Sequence, residues 1–119
     1  MVLAVVDDLL FASRIRSAAE HAGAAIAFVR SRGDVVPRME ASPPALVILD
    51  LDRDALDPIG LIREIRGHAS LASTRIVAFV RHTNGERIAE ARVAGINQVL
   101  ARSAFFPALG QMLAAPAAS

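Results

Sequence analysis

Five times in succession a short β-branched run gives way to a stretch of helical period, with only a few residues between them. Residues 2–6, 24–29, 45–49, 76–80 and 98–101 read as strands, and the central ones are apolar at every position rather than at alternate ones. Continuous apolarity belongs to strands that are covered on both faces. Strand and helix alternating through short connections leave one architecture: α/β, a parallel sheet with right-handed crossovers and helices on either side. At 119 residues the chain makes one domain with a core of its own. Hydrophobic residues are 54% of the chain and aromatic residues 4%, so Ala, Val, Ile and Leu must build that core.

The helices carry their own punctuation. Residues 10–22 place Phe11, Ile15, Ala18, Ala19 and Ala22 on one face, and Gly23 stops the helix. A short second helix follows Asp34 as its cap, with Pro37 tolerable in the first turn. The third has Asp57 as cap, Pro58 at the first helical position, and Ile59, Ile62 and Ile65 inward until Gly67. The fourth covers residues 85–94 after Asn84, with Gly95 as its stop. The fifth covers residues 104–113, with Phe105, Leu109, Met112 and Leu113 as the buried stripe. Phe106 is either a partial core residue or an anchor for a partner. The tail 114–119 has nothing to bury and is expected to be disordered. Its Ala-rich ending suits a domain taken from a longer protein.

Chemistry concentrates at the strand ends. Asp7 and Asp8 follow the first strand, Asp50 the third, and Arg102 the fifth. In a parallel sheet these ends share one edge, beside which ligands bind. Like charges near 4 Å repel by roughly 4 kcal/mol at an effective dielectric of 20, so three such carboxylates call for a cation. Mg²⁺ accepts all-oxygen sites of few carboxylates and several waters. Plainer roles compete: Asp7 and Asp8 as capping residues, Asp50 as a solvated loop aspartate, Arg102 as a surface arginine.

Other classes recede. No apolar run reaches the ~18 residues of a membrane span, and no signal peptide is evident. Without cysteine there are no disulfides or thiolate metal sites, which fits a cytoplasmic protein. All thirteen Lys-or-Arg positions are Arg. A net charge of +1, no Tyr or Trp and no basic stripe argue against nucleic acid as a partner. His21 and His68 sit at expected helix ends without metal-ligand spacing.

Taken in order, VVDD, LVILDLD, LDPIGLIREIR, the AG closing the fourth helix and the basic residue seven places after Gly95 resemble a response-regulator receiver domain. This is the phosphorylatable module of two-component signalling, and the likeness spans residues 1–113. It implies a flavodoxin-like (βα)5 doubly wound sheet in strand order 2-1-3-4-5. It also implies Asp50 as phosphoacceptor, with Mg²⁺ held by Asp8, by Asp7 through water, by Asp50 and by the backbone carbonyl of Asp52. Arg102 takes the place of the family's lysine, which contacts phosphoryl oxygens. The implied partners are a histidine kinase or phosphotransfer protein, and a downstream protein or second copy on the helix 4–strand 5–helix 5 face. That face is expected to be basic through Arg87, Arg92 and Arg102. Phosphoryl transfer is mostly positioning and charge neutralisation, so a metal and a rim cation suffice.

The chain departs from the family at its switch positions. Val80 stands where a Ser or Thr hydroxyl is expected, and Phe79, Arg81 and His82 supply none. Arg81 and His82 either line the rim or are exposed loop residues. Val99 replaces a residue that is often aromatic, Ser103 replaces a proline, and Arg53-Asp54 replaces Met-Pro. Asp52 and Asp54 either strengthen metal binding or repel a phosphoryl group. Two functions follow: a phosphorelay receiver modified on Asp50, or a phosphorylation-independent pseudo-receiver that acts as a protein-binding module. Any catalysis is at most self-phosphorylation and dephosphorylation on Asp50, not metabolic turnover. A flavodoxin-like cofactor binder is disfavoured, because two Asp after the first strand would repel an anionic cofactor.

Overall fold

Strands that are apolar on both faces need cover on both sides, and the helices supply it. The computed structural model describes residues 1–81 and 83–114. Strands β1 (Val2–Val5), β2 (Ile26–Val29), β3 (Leu46–Asp50), β4 (Arg75–Val80) and β5 (Gln98–Ala101) alternate with helices α1 (Leu9–Ala22), α2 (Val35–Ala41), α3 (Pro58–Gly67), α4 (Gly85–Ala94) and α5 (Arg102–Ala114). Every strand pairing is parallel, in the order β2-β1-β3-β4-β5 that the sequence led us to expect.

The strand alternation sorts the core into two layers. Leu3, Val5, Val47, Leu49, Ala78 and Val80 pack against α2, α3 and α4 through Met39, Leu61, Ile65 and Ala91. Val2, Ala4, Ile48, Val77 and Phe79 pack against α1 and α5 through Ile15, Ala19, Phe105 and Leu109. The second layer holds an aromatic cluster. The Phe79 ring lies 5.2 Å from Phe11, 4.9 Å from Phe105 and 5.5 Å from Phe106, centroid to centroid. Phe106 is therefore part of the core, with the Arg14 guanidinium 3.8 Å above its ring.

Most helix ends follow their residues. Asp57 caps α3 from a left-handed backbone (φ 43°) by accepting from the Gly60 N–H at 3.3 Å. Gly23 and Gly95 close α1 and α4 with φ of 67° and 103°. Asp34 precedes α2 but its side chain makes no capping bond, because a 3₁₀ turn at Arg32–Asp34 runs straight into the helix. Asn84 likewise caps nothing: its amide donates to Asp52 instead. Helix α5 starts at Arg102, directly after β5, rather than at Ala104, and it contains Pro107 on an exposed face. His82 and the tail beyond Ala114 lie outside the described residues.

At the edge of the sheet away from Asp50, Arg66 joins three segments. Its guanidinium donates to the carbonyls of Gly95, Ala72 and Thr74 and to Asn97 Oδ1, at 2.9, 3.0, 2.6 and 2.7 Å. Asn97 Oδ1 also accepts from the Ile76 N–H at 2.6 Å. The α3 terminus, the entry to β4 and the turn after α4 are thereby tied together.

Phe79 is fully buried among three rings, so Phe79→Ala empties the middle of this aromatic cluster. Its expected cost is about 3–5 kcal/mol, from lost transfer energy and an unfilled cavity. A urea titration followed by circular dichroism measures it.

Candidate functional site

Parallel pairing carries three aspartates to one edge. Leu49 lies in register with Val5 of β1, and Asp50 with Phe79 of β4, so β1, β3 and β4 end level. Asp7 and Asp8 leave β1 after buried Val6, and Asp8 caps α1 by accepting from the Phe11 N–H at 3.0 Å. The capping role and the pocket position thus coexist. The edge opens into a cavity of about 720 Å³ lined by Asp7, Asp8, Asp50, Asp52 and Arg102 together.

Asp50 is the floor. Among the described residues it is the buried charged one, 3% exposed. Its Oδ1 accepts from the Asp52 N–H at 3.1 Å. Burial pushes its pKa from 3.8 up to about 6; the Asp52 N–H and Arg102 act against that rise, and Asp52 and Asp7 add to it.

Asp7, Asp52 and Asp54 have arginine partners that the sequence had not assigned. Arg53 Nε lies 2.9 Å from Asp7 Oδ1 and donates to Oδ2 at 3.0 Å, which leaves Oδ1 buried without a hydrogen bond. Arg87 donates to the Leu51 carbonyl at 2.8 Å and to Asp54 at 2.6 Å. Arg102 Nη2 donates to Asp52 Oδ2 at 3.1 Å, and its guanidinium carbon sits 4.7 Å from the centre of the Phe11 ring. Asp52 Oδ2 also accepts from the Arg81 N–H at 2.8 Å, and Oδ1 from the Asn84 amide at 2.9 Å. Asp52 is therefore the most heavily hydrogen-bonded carboxylate of the pocket. Arg87 and Arg102 face this cavity, so of the three arginines expected on the α4–β5–α5 face only Arg92 is free of pocket contacts.

Val80, the last residue of β4, is 1% exposed and packed in the α2–α3–α4 layer. Val99 is half-buried against the same layer. Neither brings a polar atom to the cavity.

The donor set can be tested against a divalent cation. Among the described residues no group of three or more His, Asp or Glu side chains is drawn together as a metal cage. Mg²⁺ does not need one, since one or two carboxylates with waters hold it. Asp7 Oδ1, buried without a hydrogen bond among the described residues, and the buried Asp50 carboxylate are groups that a cation would satisfy. The residues present fit the ion on that ground.

No protein-family model matches the sequence, and no curated protein matches it. Solved structures do match. The response regulator from Hahella chejuensis aligns with a TM-score of 0.85 at 18% identity, over 98% of this chain and 93% of that one. The chemotaxis response regulator CheY4 of Vibrio cholerae gives 0.82 at 16%, over 97% and 96%. The Mn²⁺-bound form of response regulator Rcp1 gives 0.79 at 17%, over 93% and 89%. The architecture is a flavodoxin-like doubly wound α/β sheet with its crevice at the strand carboxyl ends. More narrowly, it is the fold of response-regulator receiver domains. No helix among the described residues is long and apolar enough to cross a membrane.

A carboxyl group with a raised folded-state pKa binds more protons folded than unfolded between about pH 4 and 6. Stability therefore falls as pH rises through that window and stays lower above it. Asp50→Asn removes the buried charge, so it should stabilise the metal-free protein at pH 7.5 by on the order of 2 kcal/mol. Thermal melts in a chelating buffer should show the gain at pH 7.5 and its disappearance below pH about 4.

Proposed function

We propose that this chain is a receiver domain of a two-component phosphorelay, accepting a phosphoryl group on Asp50 and signalling through protein contacts. The supporting observation is the Asp50 carboxylate on the cavity floor, the buried charged group among the described residues, with one backbone N–H as its partner there and no arginine. With a pKa of about 6 it is largely ionised at neutral pH and able to attack. A carboxylate oxygen of Asp50 forms the new bond to phosphorus. The bond from phosphorus to the donor's histidine nitrogen breaks, and that nitrogen keeps the electron pair and takes a proton. Asp50 is left as an acyl phosphate.

Asp7, Asp8, Asp50 and the backbone carbonyl of Asp52 would hold Mg²⁺, which when bound supplies charge neutralisation between carboxylate and phosphoryl oxygens. The similar response regulator Rcp1 in its Mn²⁺-bound form supports binding of a divalent ion. Arg102 stands on the rim as the cation for phosphoryl oxygens. A histidine kinase or phosphotransfer protein is the donor, consistent with the response-regulator and histidine-kinase receiver structures of the same fold. The α4–β5–α5 face, with Arg92 and the exposed Val93, is the surface for a downstream protein or a second copy.

One observation favours the second reading, a phosphorylation-independent pseudo-receiver. Val80 buries an apolar side chain where a switch would need a hydroxyl.

Intact mass after incubation with acetyl phosphate and Mg²⁺ separates the two. A single phosphoryl adduct is expected on the native chain and none on Asp50→Asn. A folded native chain that gains no adduct would refute the acceptor role and leave the binding module.

A further inference from the structure

The cavity's described donors are aimed at the wrong aspartate for a pocket awaiting a phosphoryl group. The Arg81 N–H and the Arg102 guanidinium converge on one oxygen, Asp52 Oδ2, at 2.8 and 3.1 Å. The Asn84 amide holds Oδ1 at 2.9 Å. These donors come from the end of β4, the start of α4 and the start of α5, so one carboxylate bridges all three segments. Asp50, two residues away, receives only the Asp52 backbone N–H. An amide N–H, a carboxamide and a guanidinium around one anion form a charge-assisted oxyanion site. Its occupant is the chain's own side chain, whose exposure is only 12%.

We propose that the Asp52 carboxylate is a resident anion occupying the cavity's phosphoryl-binding donors, which an incoming tetrahedral phosphoryl oxyanion must displace. The inference rests on the reading of Asp50 as acceptor only for the origin of that oxyanion. The donors themselves are selective for any phosphate-like anion once Asp52 is removed. Arg102 suits the double task, because a planar guanidinium can hold a carboxylate through one nitrogen and stack on Phe11. Its Nε is buried without a hydrogen-bond partner among the described residues, so the fork retains a donor for a second anion oxygen. The arrangement also gives Val80 a context: β4, α4 and α5 are drawn together at this edge by a carboxylate already in place, with no hydroxyl involved.

The test uses inorganic phosphate in a chelating buffer, followed by the ¹⁵N–¹H resonances of the Arg81 amide and the Arg102 Nε. Phosphate should shift both saturably in Asp52→Ala, with an affinity at least tenfold above that of the native chain. Asp52→Asn, isosteric and certain to preserve packing better, should show a smaller gain in the same direction. Native-like affinity in both folded variants would overturn the resident-anion proposal. Acetyl phosphate labelling of the same proteins is read separately. Raised phosphate affinity without labelling of Asp50 would uphold the resident anion and sink the acceptor reading. Equal labelling of native and Asp52→Ala chains, with unchanged phosphate affinity, would do the reverse.

Discussion

Like-charge repulsion at the carboxyl edge of the sheet governs the arrangement of everything near it. Five aspartates line one cavity, and the fold sets guanidinium groups against them by geometry rather than by dilution in solvent. Arg53 takes Asp7, Arg87 takes Asp54 and Arg102 takes Asp52. Each pair is partly exposed and contributes modestly to stability by itself. Their joint effect is selective: the two carboxylates left over are Asp8, exposed and capping α1, and Asp50, buried at the end of the central strand β3. Asp50 bears the desolvation because it is packed deepest and has no arginine of its own, and its raised pKa follows from that.

The strands, the helices on either side of them and the cavity edge were legible because they depend on periodicity and on where strands end, and the strand order came from the resemblance to receiver domains. Asp50, Asp7, Asp8 and Arg102 could be gathered from sequence because a parallel sheet leaves their relative placement no freedom. Hydrogen-bond partners were a different matter. Nothing in residues 52–54 says that Asp52 turns to Arg102 while Arg53 turns back to Asp7; that choice depends on loop geometry across segments far apart in the chain. Asn84 turns its amide to Asp52 across the cavity, a partner that residue type alone does not indicate. Arg87 looked like surface charge, yet its position in the first turn of α4 directs it to the Leu51 carbonyl. The one warning available in advance was compositional: a chain whose only strong cations are arginines is equipped to pair its acids with forked donors.

The departures from receiver pattern make more sense together than singly. Valine at the end of β4 would be a loss if β4, α4 and α5 had to be recruited to the pocket by a hydroxyl. Here their junction is already bridged by Asp52, and Val80 is free to serve packing against α3 and α4. Arginine in place of lysine at position 102 reaches far enough to stack on Phe11 and still meet that carboxylate. Charge in the loop after β3 and an apolar strand end at β4 are parts of one arrangement.

The clamp formed by Arg66 acquires a mechanical meaning from its distance to the cavity. It grips the carbonyl of Gly95, at the far end of α4, while the near end is moored through Asn84 and Arg87 to groups of the Asp50 loop. One end of the helix is bolted and the other is tied by polar contacts that a new anion would compete for. A rearrangement at the cavity would reach α4 first at its amino terminus, where Asn84 and Arg87 hold it, and last at Gly95, where the Arg66 guanidinium does.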